Sequence, residues 1–394
     1  MKPQEVSVKN HTRAIGLSAL MASVTLLAAV GLAGCSGGAG NDFVLGIGLP
    51  LTGSNATYGV ASQDSEQLAV DYINAHGGIL GHQVKVIWWD TKADPATGVA
   101  GAQQFVSKHV NAVVGFFNSD VTVPGIRVLE QANIPLFGDN PSTPKLASLH
   151  LTNFVRLTGD DALEGVIQAQ FAVQKLHAKT VVALDDQEAF GEAFAQAFVD
   201  EVKKEGATVL DYEGVDPTAN DYSAILSKIA SLKPDLFEFS GFYQPAGLLV
   251  KQARQMGIKS LYITDSAVYG DKYLGIAGKA AIGTYMTNNP ASAETNTPLQ
   301  KYLSDNLQSK YQLKVDGIDA NAFDAVLAVS YAAQLANSIK PADLIKVMHD
   351  VKFQGATGDV SFLPDGDRAQ VDYTVVEVTP SMTYKTLQEF KEVL

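Results

Sequence analysis

Between Gly115 and Lys145 the chain reads GFFNSDVTVPGIRVLEQANIPLFGDNPSTPK, two polar loops that each follow a short apolar run. Residues 113–117 read as a buried strand that runs into Asn118, Ser119 and Asp120, then into a helix with Pro124 in its opening turn. Residues 135–137 read as a second short strand ending in the polar segment 139–143. Free backbone N–H groups and helix N-termini at the carboxyl ends of parallel strands attract anions. Hydroxyl and amide side chains in that setting predict a small-molecule site for a ligand carrying a carboxylate.

Catalytic alternatives do poorly. The chain has no H-E-x-x-H, no cysteine pair, no G-x-S-x-G and no G-x-x-x-x-G-K-[ST]. Gly46, Ile47 and Gly48 begin like a dinucleotide fingerprint but run into Leu49 and Pro50, and the third glycine is missing. His76 and His82 bracket a glycine turn and read as solvated turn residues. No enzyme activity, cofactor or metal is expected.

Composition narrows the field further. Against 29 Lys and Arg stand 42 Asp and Glu, a formal charge of -13 with no basic patch, which excludes nucleic acid as a partner. Lys2, Lys9 and Arg13 precede an uncharged apolar run at 14–30, the pattern of a secretory signal. Leu32, Ala33, Gly34 and Cys35 then resemble the lipobox of bacterial lipoproteins. That resemblance implies cleavage before Cys35 and its acylation, with 1–34 as signal peptide and 35–41 as a flexible tether. Cys35 is the only cysteine, so the remaining body has no disulfide and draws its stability from its core.

The elements that must hold the two loops alternate regularly. Residues 43–48 read as a strand, 50–59 as a loop and 61–75 as a helix closed by Gly77 and Gly78. A strand at 84–88 and a helix at 95–108 follow, then the strand and helix of the first loop. A second series starts after 156–160: helices at 161–176, 191–206, 222–231 and 245–256, with strands at 180–184, 208–212, 235–239 and 261–264. Helices at 298–311 and 321–338, a third after Pro341, and strands near 360–362 and 373–378 complete the chain. Such alternation predicts parallel sheets flanked by helices, in two lobes.

Several segments carry a family resemblance in order. Pro50-Leu51-Thr52-Gly53 with Tyr58-Gly59, then Ile73-Asn74-Ala75-His76-Gly77-Gly78-Ile79-Leu80-Gly81, and Asp94-Pro95 before a helix form its first part. Phe190-Gly191-Glu192, Ser240-Gly241-Phe242 and Leu363-Pro364-Asp365-Gly366 continue it. The ordered set resembles the leucine/isoleucine/valine-binding family of ABC-transporter solute receptors over essentially the whole chain after the tether. The resemblance implies a type I periplasmic binding protein fold with a three-segment hinge. One lobe is expected at 42–158 plus 287–363, the other at 159–286 plus 364–394. It further implies a monomer outside the cytoplasmic membrane, touching that membrane through its lipid alone and delivering an amino acid to ABC permease subunits.

The site residues follow from the same resemblance. Ser119 matches the serine that receives the ligand carboxylate, although a helix cap is an equally ordinary role for it. Asp120 would repel a carboxylate and is expected to face solvent or cap the helix. Asn140 and Ser142 fall on the second loop, where Pro141 departs from the family pattern by removing an N–H. Tyr58 matches an aromatic flanking the ligand. Phe190 and Phe242 stand where the family commonly has tyrosines, which makes the pocket more apolar. The anion facing the ligand's ammonium is Asp265 if one residue is deleted before it, and Ser266 occupies that place without a gap. Without an anion there, a ligand lacking an amine (an aromatic acid, an amide or a urea) gains ground, and a sensor feeding a signalling partner shares all these features.

Overall fold

A computed structural model describes residues 42–289 and 297–393. The signal, Cys35 and the tether lie outside the described residues.

The first series runs β1 (Phe43–Leu49), α1 (Ala56–Ala75), β2 (Val84–Asp90), α2 (Pro95–Ser107), β3 (Ala112–Gly115), α3 (Ser119–Gln131), β4 (Leu136–Gly138), α4 (Lys145–Ser148) and β5 (Phe154–Arg156). The second runs α5 (Asp161–Gln174), β6 (Thr180–Asp185), α6 (Ala189–Lys204), β7 (Thr208–Gly214), α7 (Ser223–Leu232), β8 (Leu236–Ser240), α8 (Tyr243–Gln255), β9 (Leu261–Thr264), α9 (Asp271–Ala277) and β10 (Thr284–Asn288). Last come α10 (Pro298–Asn306), α11 (Gly317–Ala336), α12 (Pro341–Val347), β11 (Phe353–Gly355), β12 (Gly358–Val360), β13 (Gln370–Val378) and β14 (Tyr384–Val393).

Two large sheets result. The first, in the order β2-β1-β3-β4-β5, is parallel throughout. The second, β14-β13-β10-β9-β8-β6-β7, is parallel except for β13 and β14, which form an antiparallel hairpin on one side. β1 is apolar along its length and buried except at Val44, as a parallel strand covered on both faces must be. On one face of the first sheet, Ile47 packs with Leu68 of α1 and Phe323 and Val326 of α11. On the other face, Phe105 of α2, Ile126 and Leu129 of α3 and Phe116 form a separate core. The second sheet is likewise covered twice, by Phe237, Tyr262 and Leu249 on one side and Val181, Phe198 and Phe171 on the other.

The chain passes between the sheets after β5, after β10 and again between β12 and β13. The third stretch therefore completes both halves, with α11 joining the first core and β13 joining the second sheet. α1 starts earlier than the expected 61, because residues 56–60 already follow the Asn55 carbonyl, which accepts from the N–H groups of Tyr58 and Gly59. Pro124 lies inside α3, not in its opening turn, so its missing N–H leaves the Asp120 carbonyl without the usual donor four residues on. β5, β10 and β14 are strands that local pattern does not announce.

Candidate ligand-binding site

The loops after β3 and β4 face the ends of β6, β8 and β9 across a small cavity. From the first half, Phe117, Asn118, Ser119 and Asp120 line it, joined by Asn140 and Ser142. From the other half come Asp161 and Glu164 on α5, Glu188 and Phe190 around the start of α6, Phe242, and Ser266. Five of the seven ligand positions expected from the sequence meet here: Ser119, Asn140, Ser142, Phe190 and Phe242. Tyr58 and Asp265 do not line the cavity.

The first loop is shaped by its backbone. β3 ends at Gly115, whose φ of +116° suits glycine, and a Cβ there would lie 2.3 Å from the Gly48 carbonyl oxygen. The following Gly115–Phe116 peptide is cis, and Phe117 sits at φ +63°. The Phe117 N–H donates to Asp139 Oδ1 at 3.0 Å. Burial outweighs the backbone N–H groups around Asp139 and pushes its carboxyl up to about 6.

Asn118, not Ser119, holds the cap position of α3 and makes no side-chain cap bond. Ser119 Oγ instead accepts from the N–H groups of Ser142 and Thr143, at 3.3 and 3.2 Å, and so staples the two loops together. Asn140 ties the second loop to α11, donating to the Ile318 carbonyl at 3.3 Å and accepting from Asn321 Nδ2 at 3.2 Å. Beneath them lies Arg156, fully buried, with Nε and Nη2 each 2.7 Å from Asp367 and Nη2 also 2.8 Å from Asp160. Its Nη1 donates to the Thr143 carbonyl at 3.0 Å, so the loop, the start of α5 and the return to β13 share one cation. Pro141 costs the loop an N–H, and the N–H groups of Ser142 and Thr143 are the ones Ser119 engages.

Asp265 is a correction. It is fully buried, its Oδ2 accepts from the Gly241 N–H at 2.7 Å and its Oδ1 from the Ala267 N–H at 2.8 Å. It caps a short 3-10 turn and fixes the loop that carries Phe242, so neither oxygen is turned to a ligand. Ser266 faces the cavity in its stead, and Glu164 accepts from both its N–H and its hydroxyl at 2.9 Å. Asp120 is a second correction. Half-buried, it does not cap α3, and its Oδ2 accepts from the Ala189 N–H at the start of α6, 2.9 Å away in the other half. Tyr58 also spans the halves, one layer behind the cavity. Its hydroxyl donates to the Ala267 carbonyl at 2.7 Å and accepts from the Tyr243 N–H at 3.2 Å, and its ring lies 5.2 Å from that of Phe242.

The electrostatics of the cavity are one-sided. Asp120, Asp161, Glu164 and Glu188 line it, and no Lys, Arg or His does so among the described residues. Burial raises the carboxyls of Asp161 and Glu164, opposed at Asp161 by the Ser142 hydroxyl and at Glu164 by Thr287 and Ser266. Burial first, and then the charge of Asp120, pushes Glu188 up to about 7. Sequence reasoning missed Asp161, Glu164 and Glu188, whose only local signal is acidity at or beside a helix start, an ordinary feature of helices. Among the described residues no group of three or more His, Cys, Asp and Glu is placed to hold a metal ion, and no helix is long and apolar enough to cross a membrane.

Two α/β halves joined by three crossings, with helix N-termini and loop hydroxyls facing carboxylates across a cleft, define a two-lobed solute receptor. The chain belongs to the periplasmic binding protein family, whose profile matches residues 43–383. It is similar to Leu/Ile/Val-binding protein homolog 3 of Brucella melitensis, 29% identical over 358 residues that cover 90% of this chain and 96% of the relative. Leu/Ile/Val-binding protein BraC3 of Rhizobium johnstonii is 29% identical over 336 residues, covering 85% of this chain and 91% of that one. Among solved structures, the branched-chain amino acid transporter substrate binding protein LivJ from Streptococcus pneumoniae, in complex with isoleucine, superposes with a TM-score of 0.81. It is 25% identical, and the match covers 89% of this chain and all of LivJ. The two-lobed type I fold expected from the sequence is the fold found.

Proposed function

We propose that the protein captures a branched-chain or related hydrophobic amino acid outside the cytoplasmic membrane and hands it to an ABC permease. The observation that carries this reading is the polarity of the cleft. On one side stand the N-terminus of α3 and the stapled loops, with Ser119 and backbone N–H groups suited to a carboxylate. On the other stands a buried carboxylate, Asp161, whose Oδ2 has no partner in the protein and suits an ammonium. Phe117, Phe190 and Phe242 supply the apolar wall for a side chain. The names of the relatives and of LivJ support the same ligand class.

In this reading the lobes are 42–158 plus 289–363 and 159–288 plus 364–394, and they close on the ligand by a hinge motion. The second boundary moves from the expected 287 to after β10 because Thr287 and Asn288 pair with β13. Cys35 carries the lipid that retains the protein at the membrane, and the receptor works as a monomer. The test is a thermal-shift screen of protein stripped of bound ligand by unfolding and refolding. Common amino acids are compared with aromatic acids, amides and urea. A ligand at a hundred times its Kd stabilises by about 2.7 kcal/mol, several degrees in Tm. A shift with leucine, isoleucine or valine is expected, and a shift with amine-free ligands alone would overturn the amino-acid reading.

A further inference from the structure

The cavity is more acidic than an amino acid with a purely apolar side chain requires. Such a ligand brings one carboxylate, met by the loops and α3, and one ammonium, for which the α5 side already offers Asp161 and Glu164. Asp120 and Glu188 are left over. They meet from opposite halves, Asp120 in the first turn of α3 and Glu188 immediately before α6, whose first N–H, that of Ala189, donates to Asp120.

Glu188 is half-buried and faces the charges of Asp120 and Asp186, with no donor or cation to its carboxylate among the described residues. Two carboxylates drawn together in a partly desolvated cleft are unfavourable unless a positive charge lies between them. Two other observations point the same way. Asn118 is 5% exposed and Asp161 1% exposed, both line the cavity, and Asn118 Oδ1 and Asp161 Oδ2 have no hydrogen-bond partner. The buried unpaired side-chain atoms of the lining are therefore all acceptors, and they call for donors from the ligand.

We propose that the ligand carries a second, cationic group at the end of an aliphatic stem, and that Asp120 and Glu188 form its subsite between the two halves. This rests on the amino-acid reading of the site but replaces its hydrophobic side chain by an aliphatic stem that ends in an amine, as in α,ω-diamino acids. The stem passes along Phe190 and Phe242, whose ring centroids lie 5.7 Å apart. The terminal ammonium neutralises a pair of charges contributed by both halves, so it favours their approach as well as binding.

Matched pairs test this directly. Norvaline and ornithine, norleucine and lysine, and 2-aminobutyrate and 2,4-diaminobutyrate differ within each pair by one terminal ammonium. Calorimetry on ligand-stripped protein at about pH 8, where a carboxyl with its pKa near neutrality is mostly ionised, gives the affinity ratio within each pair. At least one diamino acid is expected to bind about tenfold or more tighter than its partner, and Glu188→Gln to bring that ratio within about threefold. Because the ratio is measured within one variant, a general loss of folding does not mimic the result. Equal or weaker binding of the charged member in every pair overturns the proposal, as does a ratio that survives Glu188→Gln. Tighter binding of the uncharged members as the pH falls, without any pair preference, would assign the missing positive charge to a proton and overturn it too. If neither member of any pair binds, the amino-acid reading falls as well, whereas binding of both members without preference removes only the cationic subsite.

Discussion

The hydroxyl of Tyr58 donates to the carbonyl of Ala267 at 2.7 Å, joining α1 to the loop after β9 across the cleft. The same oxygen accepts from the Tyr243 N–H, and Tyr243 in turn donates its own hydroxyl to Thr57 at 3.0 Å. These bonds exist only when the two halves are in contact. Tyr58→Phe keeps the ring against Phe117 and Phe242 but leaves a carbonyl and an N–H unpaired in the closed form. Ligand affinity is expected to fall by about 1 to 3 kcal/mol, mostly through faster release. Calorimetry and stopped-flow measurements check it, and unchanged affinity would show that the clasp does not contribute to closure.

Ser119→Ala removes the acceptor that holds the Ser142 and Thr143 N–H groups, and with it the hydroxyl proposed to meet the ligand carboxylate. Binding should weaken by about 1.5 to 3 kcal/mol, the range for hydrogen bonds to charged groups. The unfolding midpoint should move less, because the two bonds in the protein are long. An affinity equal to that of the parent protein would take Ser119 out of the site.

Arg156→Ala strips the counter-charge from Asp160 and Asp367 and releases the Thr143 carbonyl, all in the interior. Breaking a buried ion pair from one side costs about 3 to 5 kcal/mol. Urea unfolding should show a loss of that size, and a loss below about 1 kcal/mol would mean that water relieves the stranded carboxylates.

Glu188 gives the molecule a pH dependence. Its carboxyl is raised from an ordinary 4.5 to about 7 in the folded, contacting halves, so the charged form is the disfavoured one. The stability it contributes is complete below 4.5 and is lost as the pH rises through about 7. Asp120 on α3 is the charge that faces it most directly, and Asp139, raised to about 6 under the same loops, acts in the same direction. Without ligand, Tm should therefore decline between about pH 5 and pH 8, and the decline should flatten in Glu188→Gln. A parent profile no steeper than that of the variant would contradict the assignment.

Much of this was legible beforehand because the signals are local. Apolar runs of strand length, periodic helices and the glycines that end them placed the two βα series, and the loops after β3 and β4 were found from polarity alone. Asp265 misled because its position after a strand says nothing about which backbone N–H groups will surround it, and Gly241 and Ala267 claim both its oxygens. Asp120 was misjudged for a related reason: the donor it meets, Ala189, belongs to the other half. Glu164 and Glu188 gain their character from burial and from neighbours distant in sequence, which no periodicity records. β14 went unseen because its run, YKTLQEFKEV, is polar at many positions, and its pairing with β13 supplies what its composition lacks.

The β13–β14 hairpin is made from the end of the chain, yet β13 pairs directly with β10 inside the second sheet. α1, near the other end, likewise waits for α11 to cover it. The first core therefore waits for α11 and the second sheet for β13, and contacts so distant in sequence form slowly. Until those contacts form, apolar surface meant for the two cores stays exposed, the condition that makes large incomplete chains prone to aggregate.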